Sequence, residues 1–140
     1  MMDKQIILNK LASLKRCIER VEAKVPESSK TLQSDYDLQD IVSLNLQRAV
    51  QVCVDIAAHI NAGLDTRPPA SMTDSFDNLN KENIISDVVC TRMKKSIGYR
   101  NIAVREYSTI NWDIVFSVAT LNLNDFRKFA KEIFAWMNKE

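Results

Sequence analysis

Gly98–Tyr107 reads G-Y-R-N-I-A-V-R-E-Y, and the seam that carries it decides the fold. Counting from Cys90, the residues Cys90, Met93, Ile97, Arg100, Val104 and Tyr107 recur at alternating three- and four-residue steps. That spacing places all six side chains on one narrow stripe of a helix. Most of the stripe is apolar, yet it includes an arginine. A guanidinium on a buried stripe is costly unless it finds anionic partners. Arg100 is therefore either neutralised by a carboxylate from a neighbouring helix or turned toward a cleft where an anion binds; spacing alone leaves both open.

The same helical period extends outward on both sides. A first helix runs from about Asp3 to Lys24, with Ile7, Leu11, Leu14, Ile18, Val21 and Val25 on one seam. Pro26 ends it, and Glu27–Asp35 reads as a polar connection. A second helix, from about Asp37 to Asn61 and closed by Gly63, has two apolar sides. Leu38, Ile41, Ala49, Val52 and Ile56 form one, and Leu46, Val50, Val54 and Ala57 the other. It is a central helix, or one that also meets a second subunit; its polar line is Arg48, Gln51, Asp55 and His59. Arg67-Pro68-Pro69 is a loop. Thr73 is the expected cap of a short helix with Phe76 and Leu79, Ser86 caps the helix of the opening seam, and Asn111 caps the last. That last helix carries Val115, Val118, Phe126, Phe129, Ile133 and Trp136 on one seam. No stretch alternates with period two. The reading is a single all-α domain over residues 1–140, an up-and-down helical bundle of four long helices plus a short one.

Composition narrows the chemistry. Nineteen Lys and Arg against 18 Asp and Glu leave a net charge of +1, so any RNA contact must come from a local cluster. Cys17, Cys53 and Cys90 share no metal-like spacing and read as reduced core thiols. The start of the chain has no cleavage-site pattern and no later run is long enough to cross a bilayer, so a soluble, cytoplasmic protein with no membrane is expected. His59 is the only histidine, which argues against zinc or a histidine relay, and the isolated glycines form no phosphate loop. The expectation is a site without metal or cofactor. Asp55 and His59, four apart, either pair with each other or line a cleft with Arg100. Arg100 and Asn101 offer a guanidinium fork and an amide suited to phosphate. Arg105 lies five residues on, about 140° around a straight helix, so the two arginines converge only if the helix ends near Val104. The alternative for Arg105 is a solvated arginine beside Glu106, and for Tyr107 a core-edge tyrosine with a wet hydroxyl.

R-N-I-A-V-R-E-Y, preceded by the capped short helix with Phe76 and followed by N-W-D-I-V, resembles the HEPN ribonuclease toxins. The resemblance is closest to the HepT branch of HEPN/minimal-nucleotidyltransferase toxin–antitoxin pairs, and L-Q-R-A-V-Q-V-C-V-D-I-A-A-H-I on the second helix belongs to it. The family's signature is R-x4-H-x-Y. Arg100 matches its arginine, Asn101 the usual polar neighbour and Tyr107 its tyrosine, whereas Arg105 stands at the histidine. The resemblance implies a homodimer with a composite cleft for an RNA substrate, and metal-independent cleavage by the ribose 2′-hydroxyl. It also implies silencing by a cognate minimal nucleotidyltransferase antitoxin that adds AMP to Tyr107. A guanidinium is a poor general base, so Arg105 in place of histidine implies an attenuated toxin, natural or detoxified. A helical binding partner or substrate of a nucleotidyltransferase, without catalysis, is the competing expectation.

Overall fold

A computed structural model describes residues 3–139, and among them every regular element is helical. Seven α-helices follow in order: α1 (Lys4–Lys24), α2 (Ser29–Ser34), α3 (Tyr36–Ala62), α4 (Met72–Lys81), α5 (Asp87–Arg105), α6 (Trp112–Leu121) and α7 (Leu123–Lys139). One turn of 3₁₀ helix, Tyr107–Thr109, links α5 to α6. Met1, Met2 and Glu140 of the expected single domain lie outside the described residues.

The central helix is α3. It packs against α1, α2, α4, α5, α6 and α7, so both of its apolar sides are used inside the chain. Val42, Leu46, Ala49, Val50, Cys53, Ile56, Ala57 and Ile60 are all buried along it. By length and composition α3 could cross a membrane, yet more than half of its most apolar stretch is buried inside the bundle. The expectation that no run reaches membrane-spanning length is thus corrected: the length is present, and the apolar side chains fill the interior of the bundle instead.

Caps set where the helices start. Asp3 accepts the N–H groups of Gln5 (2.9 Å) and Ile6 (3.3 Å) and opens α1; Asp35 accepts that of Leu38 (3.0 Å) and opens α3. Ser71, not Thr73, caps α4 by accepting the Asp74 N–H at 3.0 Å, which begins that helix at Met72. Ser86 caps α5 and is itself gripped by the Glu132 carboxylate of α7, which accepts its N–H (2.7 Å) and hydroxyl (2.8 Å). Each such cap satisfies donors that the first helical turn leaves unpaired.

Two elements differ from the four-long-plus-one-short expectation. The polar connection holds α2, a single short helix whose Leu32 is fully buried, with the Gln39 amide donating to the Leu32 (3.0 Å) and Gln33 (3.1 Å) carbonyls. The last helix is two, because Asn122 leaves helical geometry (φ −113°, ψ 4°) between α6 and α7. Asparagine competes poorly for helix interiors because its side chain offers the backbone other bonds. The core is closed by Phe76 and Phe129, edge to face at 5.7 Å. Cys17, Cys53 and Cys90 are buried free thiols within it, each pushed up in pKa chiefly by burial.

Candidate functional site

α5 brings the motif to the bundle surface. Cys90, Met93 and Ile97 anchor it in the core, but the next core position is Ala103, while Val104 is 52% exposed. The seam predicted through Val104 therefore rolls by one residue past Arg100, and Val104 joins Arg100 on the outer side. The helix ends at Arg105, where the Glu106 N–H still bonds the Ile102 carbonyl at 2.9 Å. Tyr107 is not two turns further along the same helix; it sits on the 3₁₀ turn.

Arg100 is half-buried, and both of its partners are neutral. Its Nη2 donates to Gln51 Oε1 at 3.1 Å and its Nη1 to Asn101 Oδ1 at 3.3 Å. No carboxylate forms an ion pair with Arg100 among the described residues. Of the two arrangements left open by spacing, the neutralising carboxylate is absent. Gln51 is oriented in turn: its Nε2 donates to Asp55 Oδ1 at 2.9 Å, and Lys10 Nζ lies 3.4 Å from the other Asp55 oxygen. Because the amide nitrogen is committed to Asp55, its oxygen must face Arg100. A chain Lys10–Asp55–Gln51–Arg100–Asn101 thus crosses from α1 through α3 to α5.

Asp55 therefore supports Arg100 through Gln51, whereas His59 does not pair with Asp55. Its Nε2 accepts the backbone N–H of Asp3 at 3.1 Å, tying the start of α1 to the end of α3. Arg105 is exposed and makes no side-chain hydrogen bond or ion pair among the described residues, Glu106 included. Since α5 stays helical through Arg105, the two arginines leave it about 140° apart and do not converge within one chain.

Tyr107 is 37% exposed, its ring edge packs on Trp112 at 5.6 Å, and its hydroxyl donates to Asp40 Oδ1 at 2.6 Å. Burial, then the bond to Asp40 and that carboxylate's charge, hold the phenol above its usual pKa. Asp40 and Gln51 are eleven residues apart on α3, so the Tyr107 and Arg100 contacts lie about 16 Å apart along its axis. The expectation of a common point on one seam gives way to two contacts at different levels of α3. Leu44, 45% exposed, lies between them on the same stripe. The residues missed by sequence reading are Asp40 and, in its orienting role, Gln51. Neither has a motif of its own. Among the described residues no group of three His, Cys, Asp or Glu side chains is placed to hold a metal ion.

A family model described as ribonuclease HepT-like matches residues 14–133. The chain is 44% identical over 124 residues to the mRNA nuclease HepT of Shewanella oneidensis, a match that covers 89% of this chain and 92% of that protein. The tRNA nuclease HepT of Aphanizomenon flos-aquae is 26% identical over 104 residues, covering 74% of this chain and 71% of that protein. Among solved structures, the tri-AMPylated Shewanella oneidensis HEPN toxin in complex with MNT antitoxin superimposes with a TM-score of 0.86 at 43% identity, covering 96% of this chain and 99% of that one.

Proposed function

We propose, because the chain belongs to the HepT-like ribonuclease family, that it is the toxin half of a cytoplasmic toxin–antitoxin pair. In this reading it is a metal-independent endoribonuclease working as a homodimer, silenced when a partner nucleotidyltransferase transfers AMP to Tyr107. The observation that carries the reading is the setting of Arg100. A guanidinium at the bundle surface, held by two amide oxygens and by no carboxylate, keeps its full charge for an incoming anion.

Phosphate in RNA fits that fork. The ribose 2′-oxygen attacks the adjacent phosphorus as its proton passes to water, and the new O–P bond forms. The bond to the 5′-oxygen of the next nucleotide breaks, that oxygen taking a proton from water. Arg100 stabilises charge on the phosphoryl oxygens, and Asn101, its carbonyl turned to Arg100, keeps an amide N–H₂ to hold the phosphate. Arg105 stands where the family motif has histidine. It adds positive charge but takes no proton near neutral pH, a loss of roughly 10²–10⁴-fold in rate. Two arguments support a dimer. Arg100 and Arg105 diverge on one helix, so a second copy is needed to gather both around one phosphate. Leu44 and Val104 also expose apolar surface on the Arg100 side of the bundle.

A second reading, a helical substrate of the nucleotidyltransferase with no cleavage of its own, draws on the unpartnered, exposed Arg105 at the histidine position. Expression in cells separates the two. Arg105→His should arrest growth, and co-expression of a cognate minimal nucleotidyltransferase should relieve the arrest. A soluble, folded Arg105→His protein with no effect on growth would favour the second reading.

A further inference from the structure

The three tyrosines of the chain sit in very different surroundings. Tyr36 is 77% exposed, and its hydroxyl has no partner among the described residues. The Tyr99 hydroxyl is buried without a hydrogen-bond partner. Tyr107 alone combines exposure with a carboxylate on its hydroxyl proton.

That contact is short, 2.6 Å from Oη to Asp40 Oδ1, within the range of an O–H donor on an ionised acceptor. It joins residues 67 apart in sequence, so it is a product of the fold and not of local geometry. Trp112 packs edge to face against the Tyr107 ring at 5.6 Å and 86°, a second contact that helps fix the ring's position. Asp40 forms no ion pair among the described residues, so its charge is not already committed to a cation. Asp40 and Tyr107 both lie at the bundle surface, Tyr107 37% exposed.

We propose that Asp40 is the proton acceptor for transfer of AMP to Tyr107, so that the chain supplies the general base for its own modification. This rests on the reading of Tyr107 as the AMP acceptor. In the step, Tyr107 Oη attacks the α-phosphorus of a nucleoside triphosphate bound by the partner nucleotidyltransferase. The Oη–P bond forms and the bond from that phosphorus to the bridging oxygen of the β-phosphate breaks, so pyrophosphate leaves with the electron pair. The phenol proton passes to the Asp40 carboxylate and from there to water.

Tyr107 needs such help, because its pKa lies above that of a free tyrosine and the hydroxyl is a neutral phenol near pH 7. A carboxylate within hydrogen-bonding distance removes the proton as the nucleophile gains bond order, with no free phenolate required. Tyr99 raises the Tyr107 pKa slightly; Arg105 and Glu106 precede Tyr107 in sequence, Tyr36 and Asp37 lie within a turn of Asp40 on α3, and Asp113 follows Trp112 on α6. The contact also accounts for a choice among tyrosines: Tyr36 is easier to reach, but among the described residues its hydroxyl donates to no carboxylate.

The test is the rate of mass gain in AMP steps when the full chain is mixed with its nucleotidyltransferase, ATP and magnesium. Wild type, Asp40→Asn, Asp40→Glu and Tyr107→Phe are compared between pH 5 and 9 and over a range of chain concentrations. Asp40→Asn should lower kcat about 100-fold or more with little change in KM. Its rate should keep climbing with pH where wild type levels off, and Asp40→Glu should recover part of the loss. Modification of Asp40→Asn at Tyr107 at the wild-type rate overturns the proposal. So does a loss confined to KM with the wild-type pH profile, which would make Asp40 a docking residue. Tyr107→Phe gains no AMP if the underlying reading holds; a wild-type gain there overturns that reading and this step together, while the Asp40 outcomes alone judge the base.

Discussion

Arg100 and Arg105 are the same residue type five positions apart, and their surroundings give them different work. Arg100 is fixed by two amide oxygens, so its fork has a set direction. Arg105 projects from the last turn of α5 with no partner among the described residues and provides charge without a fixed direction. Tyr99, next to Arg100, has the opposite problem. Its hydroxyl is buried and meets no partner at hydrogen-bond geometry; burial pushes its pKa up to about 12, and the nearby Ser43 hydroxyl, which already accepts from Gln47, interacts too weakly to offset more than part of this. An unpaired buried hydroxyl costs free energy that its removal returns. Tyr99→Phe should therefore leave the fold intact and stabilise it by up to about 1 kcal/mol, read as a higher urea midpoint at unchanged m. At this scale the sequence was informative about Arg100, since a charge on an apolar stripe forces a choice between carboxylate and anion. It pointed His59 to Asp55 or to a cleft with Arg100, because its actual partner is a backbone N–H that leaves no trace in side-chain spacing.

At the scale of elements, the alignment of α3 with α5 decides which side chains face the motif. Four residues of the α3 polar line were visible as Arg48, Gln51, Asp55 and His59. Which of them meets Arg100 depends on how the two helices slide and rotate against each other, which periodicity does not encode. The same blindness hid Asp40, one turn inside α3, as the partner of Tyr107. The α2 helix was invisible because six residues are too few to show a period and its stability comes from Leu32 in the core. The long helices α1, α3 and α5, by contrast, were legible because each carries a seam and a capping residue. The Lys10–Asp55–Gln51 chain makes a prediction here. Gln51→Ala removes the acceptor that aims Arg100 across the α3–α5 interface. In an Arg105→His background it should lower RNA cleavage roughly tenfold to a hundredfold while leaving the melting temperature nearly unchanged. An unaltered rate would mean that Arg100 is positioned by Asn101 or by RNA alone.

For the whole molecule, the two motif contacts are spread along one face of the bundle, with Leu44 between them and Val104 beside Arg100. One copy of such a face offers RNA a single aimed guanidinium; two copies related by a two-fold axis offer a cleft. Light scattering at micromolar concentration should give a dimer, and Val104→Glu, a charge on that exposed apolar position, should shift it toward monomer without unfolding the bundle. The central claim is that Arg100 binds the scissile phosphate and that Arg105 replaces a proton-transfer group. Its most direct test is cleavage of labelled RNA by purified protein in the presence of a chelator. Arg105→His should cleave at least about 100-fold faster than wild type. Arg105→His with Arg100→Ala should fall back to the uncatalysed rate while remaining folded. A dimeric, folded Arg105→His protein that leaves RNA intact, or one whose cleavage survives Arg100→Ala, would contradict the account.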